Sequence, residues 1–243
     1  MQVTYRVALE VASHEALIRQ AYKDSVGIWT WAVGMTDATG HSVSRYINNP
    51  ADLQHCMNVY AWALKNYSLG VQKAFRGHTL TEAQFAAALS FHWNTGAIER
   101  ATWVKEWKAG DIARARKSFM NWVTPKEITA RRRAERDLFF DGVWSNRGTM
   151  TEYTRLTSRS TPVWASAVKI DVSLELAKAF SANAPHIRID TQMEPASQGE
   201  APTLSPEGID EANAVVVPPT PKPPEGGLWA VIARLFERLF GGK

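Results

Sequence analysis

Glu15, Asp24 and Thr30 are the residues of this 243-residue chain whose types and spacing offer chemistry. Two carboxyl groups and a hydroxyl in one short stretch suit a reaction in which one carboxyl protonates a departing oxygen while the other prepares a water. That is the division of labour that cuts glycosidic bonds. The proton donor must be kept neutral, which burial achieves because desolvation penalises the charged form, and a glutamate suits that role. Trp29 and Trp31, close behind Asp24, are candidates for stacking against a sugar ring, while Tyr22 and Gly27 add aromatic bulk and turn chemistry. Carboxylates at such a spacing are also common on solvated surfaces. The elements that hold them decide between the two readings.

Leu17–Tyr22, Ile28–Val33 and His41–Ile47 are short and rich in aromatic and aliphatic residues, with Gly27 and the Thr36–Gly40 cluster as breaks between them. This pattern predicts three small antiparallel strands. Asn49-Pro50 then suggests an N-cap followed by proline at the first helical position, and Leu53, Met57, Tyr60 and Leu64 recur at helical spacing. Helices are expected from there to Trp144, with Thr81-Glu-Ala-Gln84 as a capping box and Gly110 and Gly142 at helix C-termini. The expected fold class is α+β and two-lobed, a small antiparallel three-stranded sheet lobe beside a larger helical lobe with a cleft between them. Trp103, Trp107, Trp122 and Trp144 fall at helical spacings and are assigned to the core. Arg131, Arg132 and Arg133, close to Glu135 and Asp137, read as a solvated, ion-paired helix face. Asn94 is either a substrate contact or a helix-end residue.

Several stretches share one further property. Glu15, Tyr22, Asp24, Gly27, Thr30 and Gly34 are followed by Phe91-His-Trp-Asn94-Thr-Gly96, Gly110-Asp111, Phe119-Met-Asn-Trp122 and Arg131-Arg132-Arg-Ala-Glu135. In this order they resemble the motifs of the phage-type lysozymes, glycoside hydrolase family 24, across roughly the first 148 residues. The resemblance implies a lysozyme-like fold and an endolysin that cleaves the β-1,4 bond between N-acetylmuramic acid and N-acetylglucosamine in peptidoglycan, lysing a bacterial host. It implies Glu15 as general acid, Asp24 as the carboxylate across the sugar ring, and Thr30 as the holder of the nucleophilic water. Trp29, Trp31 and Asn94 are the candidate substrate contacts. Some relatives are lytic transglycosylases that use the same acid without water, and this outcome is the alternative, beside a membrane-active or non-catalytic wall-binding protein on the same fold. Where the family writes Thr-x-Gly-x-Gly-His, this chain has Thr30-Trp-Ala32-Val-Gly34-Met35. Alanine resists positive φ, so the hairpin is expected to differ in shape there. His41 reads as an ordinary loop histidine, with a substitute for the missing imidazole as the other reading.

Charge divides the chain. There are 19 basic and 13 acidic residues through Gly148, but 2 basic and 7 acidic in Ser181–Gly226. The expected organisation is a catalytic domain over 1–148, an extension of unassigned structure over 149–180, a Pro-rich flexible linker over 181–227 and an amphipathic helix over 228–243. In the extension, Val168–Leu176 alternates as a half-buried strand would, with a helix as the alternative that its Ala-rich flanks leave open. Leu228, Val231, Ile232, Leu235, Phe236, Leu239 and Phe240 form one helical stripe suited to a membrane interface. A basic body favours the anionic cell wall as partner, and no groove-reading motif points to nucleic acid. A monomer is expected. Sparse, unclustered His and Cys imply no metal or cofactor, and the lone Cys56 rules out an intramolecular disulfide. The start of the chain lacks a signal-peptide pattern, so synthesis in the host cytoplasm and action on the wall in the periplasm are expected, with release through a holin as the resemblance implies.

Overall fold

The computed structural model describes residues 1–24, 27–145 and 148–181. The amphipathic segment 228–243 and all of the tether except Ser181 lie outside the described residues. Helix α1 (Tyr5–Ser13) leads into strands β1 (Ala16–Lys23) and β2 (Trp29–Ala32), followed by helices α2 (Leu53–Ala74), α3 (Glu82–Thr95), α4 (Thr102–Lys108), α5 (Ile112–Phe119) and α6 (Thr129–Asp141). The described chain closes with β3 (Thr149–Tyr153), β4 (Ala167–Asp171) and α7 (Ser173–Ala179). The sheet is four-stranded and mixed, in the order β2-β1-β3-β4. β1 is antiparallel to β2 and parallel to β3, and β3 is antiparallel to β4.

The three-stranded antiparallel sheet expected from sequence is thus corrected in membership and in hand of pairing. His41–Ile47 is not a strand and contains a 3-10 turn over Ser44–Tyr46. His41 and Val43 are buried as alternation requires, but Arg45 is exposed and Tyr46 buried, a step of three that belongs to a tight helical turn. The pull on Tyr46 is Trp31, whose ring it stacks on at 3.7 Å. The Tyr46 hydroxyl lies 2.9 Å from His41 Nε2 and 2.6 Å from His55 Nε2. His41 is therefore a buried member of a polar shell around Trp31, not an exposed loop residue.

Val168–Leu176 also divides. Its first half is β4, but Val172, Leu176 and Ala179 are buried at helical spacing while Leu174 is exposed, so the second half becomes α7. Helix α2 starts after Asp52, whose side chain accepts from His55 N at 2.7 Å, and not at Asn49. The capping box at Thr81 and Gln84 is present as read. Trp103 is fully buried among Phe91, Phe119 and Phe139, with ring centroids 4.6–5.3 Å away. Burial of a residue this size stabilises by about 3 kcal/mol or more relative to alanine.

Ala32 takes up the backbone region that alanine resists. It adopts φ +49°, inside a loop closed by reciprocal 2.8 Å backbone hydrogen bonds between Trp31 and Met35. An L-residue pays about 1–2 kcal/mol in that region. Glycine would remove the strain but lose about 0.8 kcal/mol of buried methyl and about 0.5–1 kcal/mol of chain entropy. These contributions offset. Ala32→Gly should therefore melt within a few degrees of the parent chain, whereas Ala86→Gly on α3, equally buried in ordinary helix geometry, should lose about 2 kcal/mol. Equal drops for both variants in side-by-side thermal unfolding would refute the strain argument.

Candidate active site

Glu15 sits in the turn between α1 and β1, where its N–H closes a 3.0 Å bond to Ala12 O. It is only 7% exposed. Its Oε1 accepts from Arg131 Nη1 at 2.6 Å. Arg131 in turn donates from Nε to Glu135 Oε1 at 2.8 Å and from Nη2 to the Ser90 carbonyl and hydroxyl at 3.1 Å. Ser90 Oγ completes the ring by donating to Glu135 Oε1 at 2.6 Å. Arg132 pairs with Glu135 Oε2 and donates from Nε to the Trp122 carbonyl at 2.9 Å and from Nη2 to Asn94 Oδ1 at 2.6 Å.

The electrostatics separate two carboxyls. Burial pushes the Glu15 pKa up, and the neighbouring Arg131 pulls it only part of the way back. Glu135 is equally enclosed, but Arg132 and Arg131 together outweigh burial and hold it below the usual range. Glu15 is thus easier to protonate than a free glutamate, and Glu135 harder, with its charge set against those of Arg131 and Arg132. This is the pattern of two carboxyls driven to different tasks by their surroundings.

Asp24 directly follows β1 and is 8% exposed. Its Oδ1 accepts from Ile28 N at 2.8 Å, and its backbone N–H donates to Ile28 O at 3.0 Å. Gly27 supports this turn with φ +85°, which glycine adopts without a Cβ penalty. Thr30 on β2 lies across from Tyr22 in the ladder and gives its hydroxyl proton to Ile28 O at 3.2 Å. Asp24 and Thr30 thus both bond to Ile28 within the hairpin. An irregularity in β1 between Ile18 and Tyr22 bends the strand, and the charges of both Asp24 and Glu15 act on the Tyr22 ring. Trp29 is half-buried, with Lys23 Nζ 5.3 Å from its ring centroid. Trp31 is fully buried, donates from Nε1 to Arg19 O at 2.7 Å and presents no face to a ligand. Asn94 neither caps α3, whose C-cap is Gly96, nor stands apart from the ion network.

Arg131, Arg132 and Glu135 correct the reading of a solvated face, since only Arg133 of the group is exposed. The signal was available: Ile128, Arg131, Arg132, Glu135, Leu138 and Phe139 occupy one buried stripe at helical spacing. Charged residues on the apolar stripe mean an internal network. Glu10, the other acid near Glu15 in sequence, is fully buried, with Ser145 Oγ donating to it at 2.5 Å. Burial would raise its pKa, but hydrogen bonds from His14 and Ser145 outweigh this and hold it low. Its stabilising contribution is present above the ordinary glutamate range and lost as pH falls through the depressed value. Glu10→Gln should therefore melt lower than wild type at pH 7, by about 2 kcal/mol of stability, with the gap closing in acid and the activity per folded molecule kept. Melting curves across pH check this, and a gap that widens in acid would overturn it.

A surface pocket lined by Ile18, Gln20, Pro50, Glu152 and Leu156, among others, borders β1 and β3, and none of Glu15, Asp24 and Thr30 lines it. Among the described residues no cluster of three His, Cys, Asp or Glu could hold a metal ion, and no helix is long and apolar enough to cross a membrane.

The sequence pattern of the family described as "Phage lysozyme" matches residues 12–135, from before Glu15 to Glu135 itself. The chain belongs to the phage lysozyme family. This family comprises glycoside hydrolases that act on peptidoglycan. Among solved structures, this lysozyme is similar to the endolysin from Escherichia coli O157:H7 phage FAHEc1, with 25% identity and a TM-score of 0.53 over 60% of this chain and 98% of that one. A mutant of P22 lysozyme is 25% identical, with a TM-score of 0.47 over 57% and 98% of the two chains. No curated protein matches the chain. The family match ends at α6, so β3, β4 and α7 lie beyond it.

Proposed function

We propose that this lysozyme is an endolysin that cleaves the β-1,4 bond between N-acetylmuramic acid and N-acetylglucosamine in peptidoglycan. Glu15 gives its proton to the leaving oxygen, while Asp24 takes a proton from a water that Thr30 helps to hold. Trp29, half-buried on the hairpin next to Asp24, supplies an aromatic surface for a sugar ring that lies between sheet and helices. One observation carries the reading. Glu15 is a nearly buried carboxyl whose pKa is pushed up by that burial and whose orientation is fixed by Arg131. A protonated Glu15 can accept from Arg131 through one oxygen and donate from the other, as a general acid must.

Digestion of purified peptidoglycan with the full chain, followed by mass spectrometry, tests the proposal. Fragments with new reducing N-acetylmuramic acid ends support hydrolysis. Anhydro ends would assign the transglycosylase outcome instead, and the absence of any released fragment would reject the enzyme reading.

A further inference from the structure

Tyr22 is fully buried, and among the described residues its hydroxyl has no hydrogen-bond partner. Buried hydroxyls are nearly always paired, so an unpaired one asks for an explanation. Its position supplies one. Tyr22 lies on β1 between Glu15 and Asp24 and directly across from Thr30, where side chains of opposed residues share a face with Cβ atoms about 4.5–5.5 Å apart. Its ring packs with Ala16 and Ile18 in a small second core closed by Tyr153, Leu156 and Trp164. Burial first, then the charges of Asp24 and Glu15, push its pKa far up, so the group remains a phenol and a donor.

Among the described residues, Thr30 and Asp24 flank this position, and neither offers a donor to a water held between them. Thr30 spends its proton on Ile28 O and offers lone pairs, and a charged Asp24 only accepts. A water between them can give one proton to each, but its oxygen would receive no hydrogen bond from either. We propose that the Tyr22 hydroxyl donates to the attacking water and so aims its remaining lone pair at the sugar carbon. This rests on the hydrolytic reading above. In the step, the water oxygen bonds to the anomeric carbon as the glycosidic C–O bond breaks; the water proton passes to Asp24, and the Glu15 proton goes to the leaving oxygen.

Tyr22→Phe deletes the hydroxyl alone. The variant should melt no lower than wild type, since it sheds an unpaired buried group. Its kcat on peptidoglycan should fall on the order of tenfold or more with KM little changed, the mark of lost transition-state positioning. The fragments should also gain anhydro ends, because a sugar cation left unmet by water is captured by its own 6-hydroxyl. A merely structural tyrosine would not move that ratio. Full activity, or reduced activity with an unchanged ratio of anhydro to reducing ends, overturns the assignment of Tyr22 alone. A wild-type chain that releases no fragments overturns the hydrolytic reading and this assignment together.

Discussion

Glu15→Gln should abolish clearing of cell-wall suspensions, lowering the rate by about 10³-fold, within the range that positioned proton transfer supplies. The amide keeps the size and the acceptor oxygen that faces Arg131 but has no proton to give. Stability should move the other way. Because the folded-state pKa of Glu15 is raised, the carboxyl favours the fold when protonated and gives up that advantage as pH rises from the ordinary glutamate range through the raised value. At neutral pH the glutamine variant should therefore melt at or above wild type. For the same reason wild-type activity should decline on the alkaline side as Glu15 ionises. Turbidity loss and melting of both proteins across pH are the measurements. A variant that keeps a tenth of the activity would remove Glu15 from the mechanism.

Glu135→Ala should have the largest effect on folding. It strips the shared counter-charge from Arg131 and Arg132, which are 6% and 0% exposed, and an uncompensated buried charge costs about 3–5 kcal/mol. In a protein of this size that corresponds to roughly 10 °C or more in melting temperature. Since the Glu135 pKa is depressed, its contribution is complete above the ordinary glutamate range and disappears as pH drops through the depressed value. The difference between variant and wild type should therefore narrow in acid. Thermal unfolding at several pH values decides, and a loss under 2 °C at pH 7 would show that the network does not hold the fold.

The local parts of the candidate site were legible because short-range chemistry dictates them. The capping box at Thr81, the Gly27 turn after Asp24 and the β1–β2 pairing all follow from residues within a few positions of one another. Long-range choices were not legible. The stacking of Tyr46 on Trp31 turns His41–Ile47 away from strand geometry, and nothing inside that segment announces the partner ring. Arg131 was misread because sequence alone weighs charge above position, yet its place on the buried stripe of α6 is what delivers it to Glu15. Ala32 shows the opposite case: its local preference is against positive φ, and the closed loop between Trp31 and Met35 overrides it. Val168–Leu176 carried two periodicities, and burial of Val172 and Leu176 selected the helical one for its second half.

The parallel seam between β1 and β3 has a consequence for how the enzyme is made. Arg19 meets Glu152 across 133 positions of sequence, and contacts of such range form slowly because a long loop must close first. Until Thr149–Tyr153 leaves the ribosome, the backbone of β1 lacks one of its two neighbours and is a template for pairing with another nascent chain. The strand flanked by Glu15 and Asp24 is therefore sealed only after Thr149–Tyr153 has emerged. The nascent chain should complete the sheet around these two carboxyls, and cover the open edge of β1, in the same event.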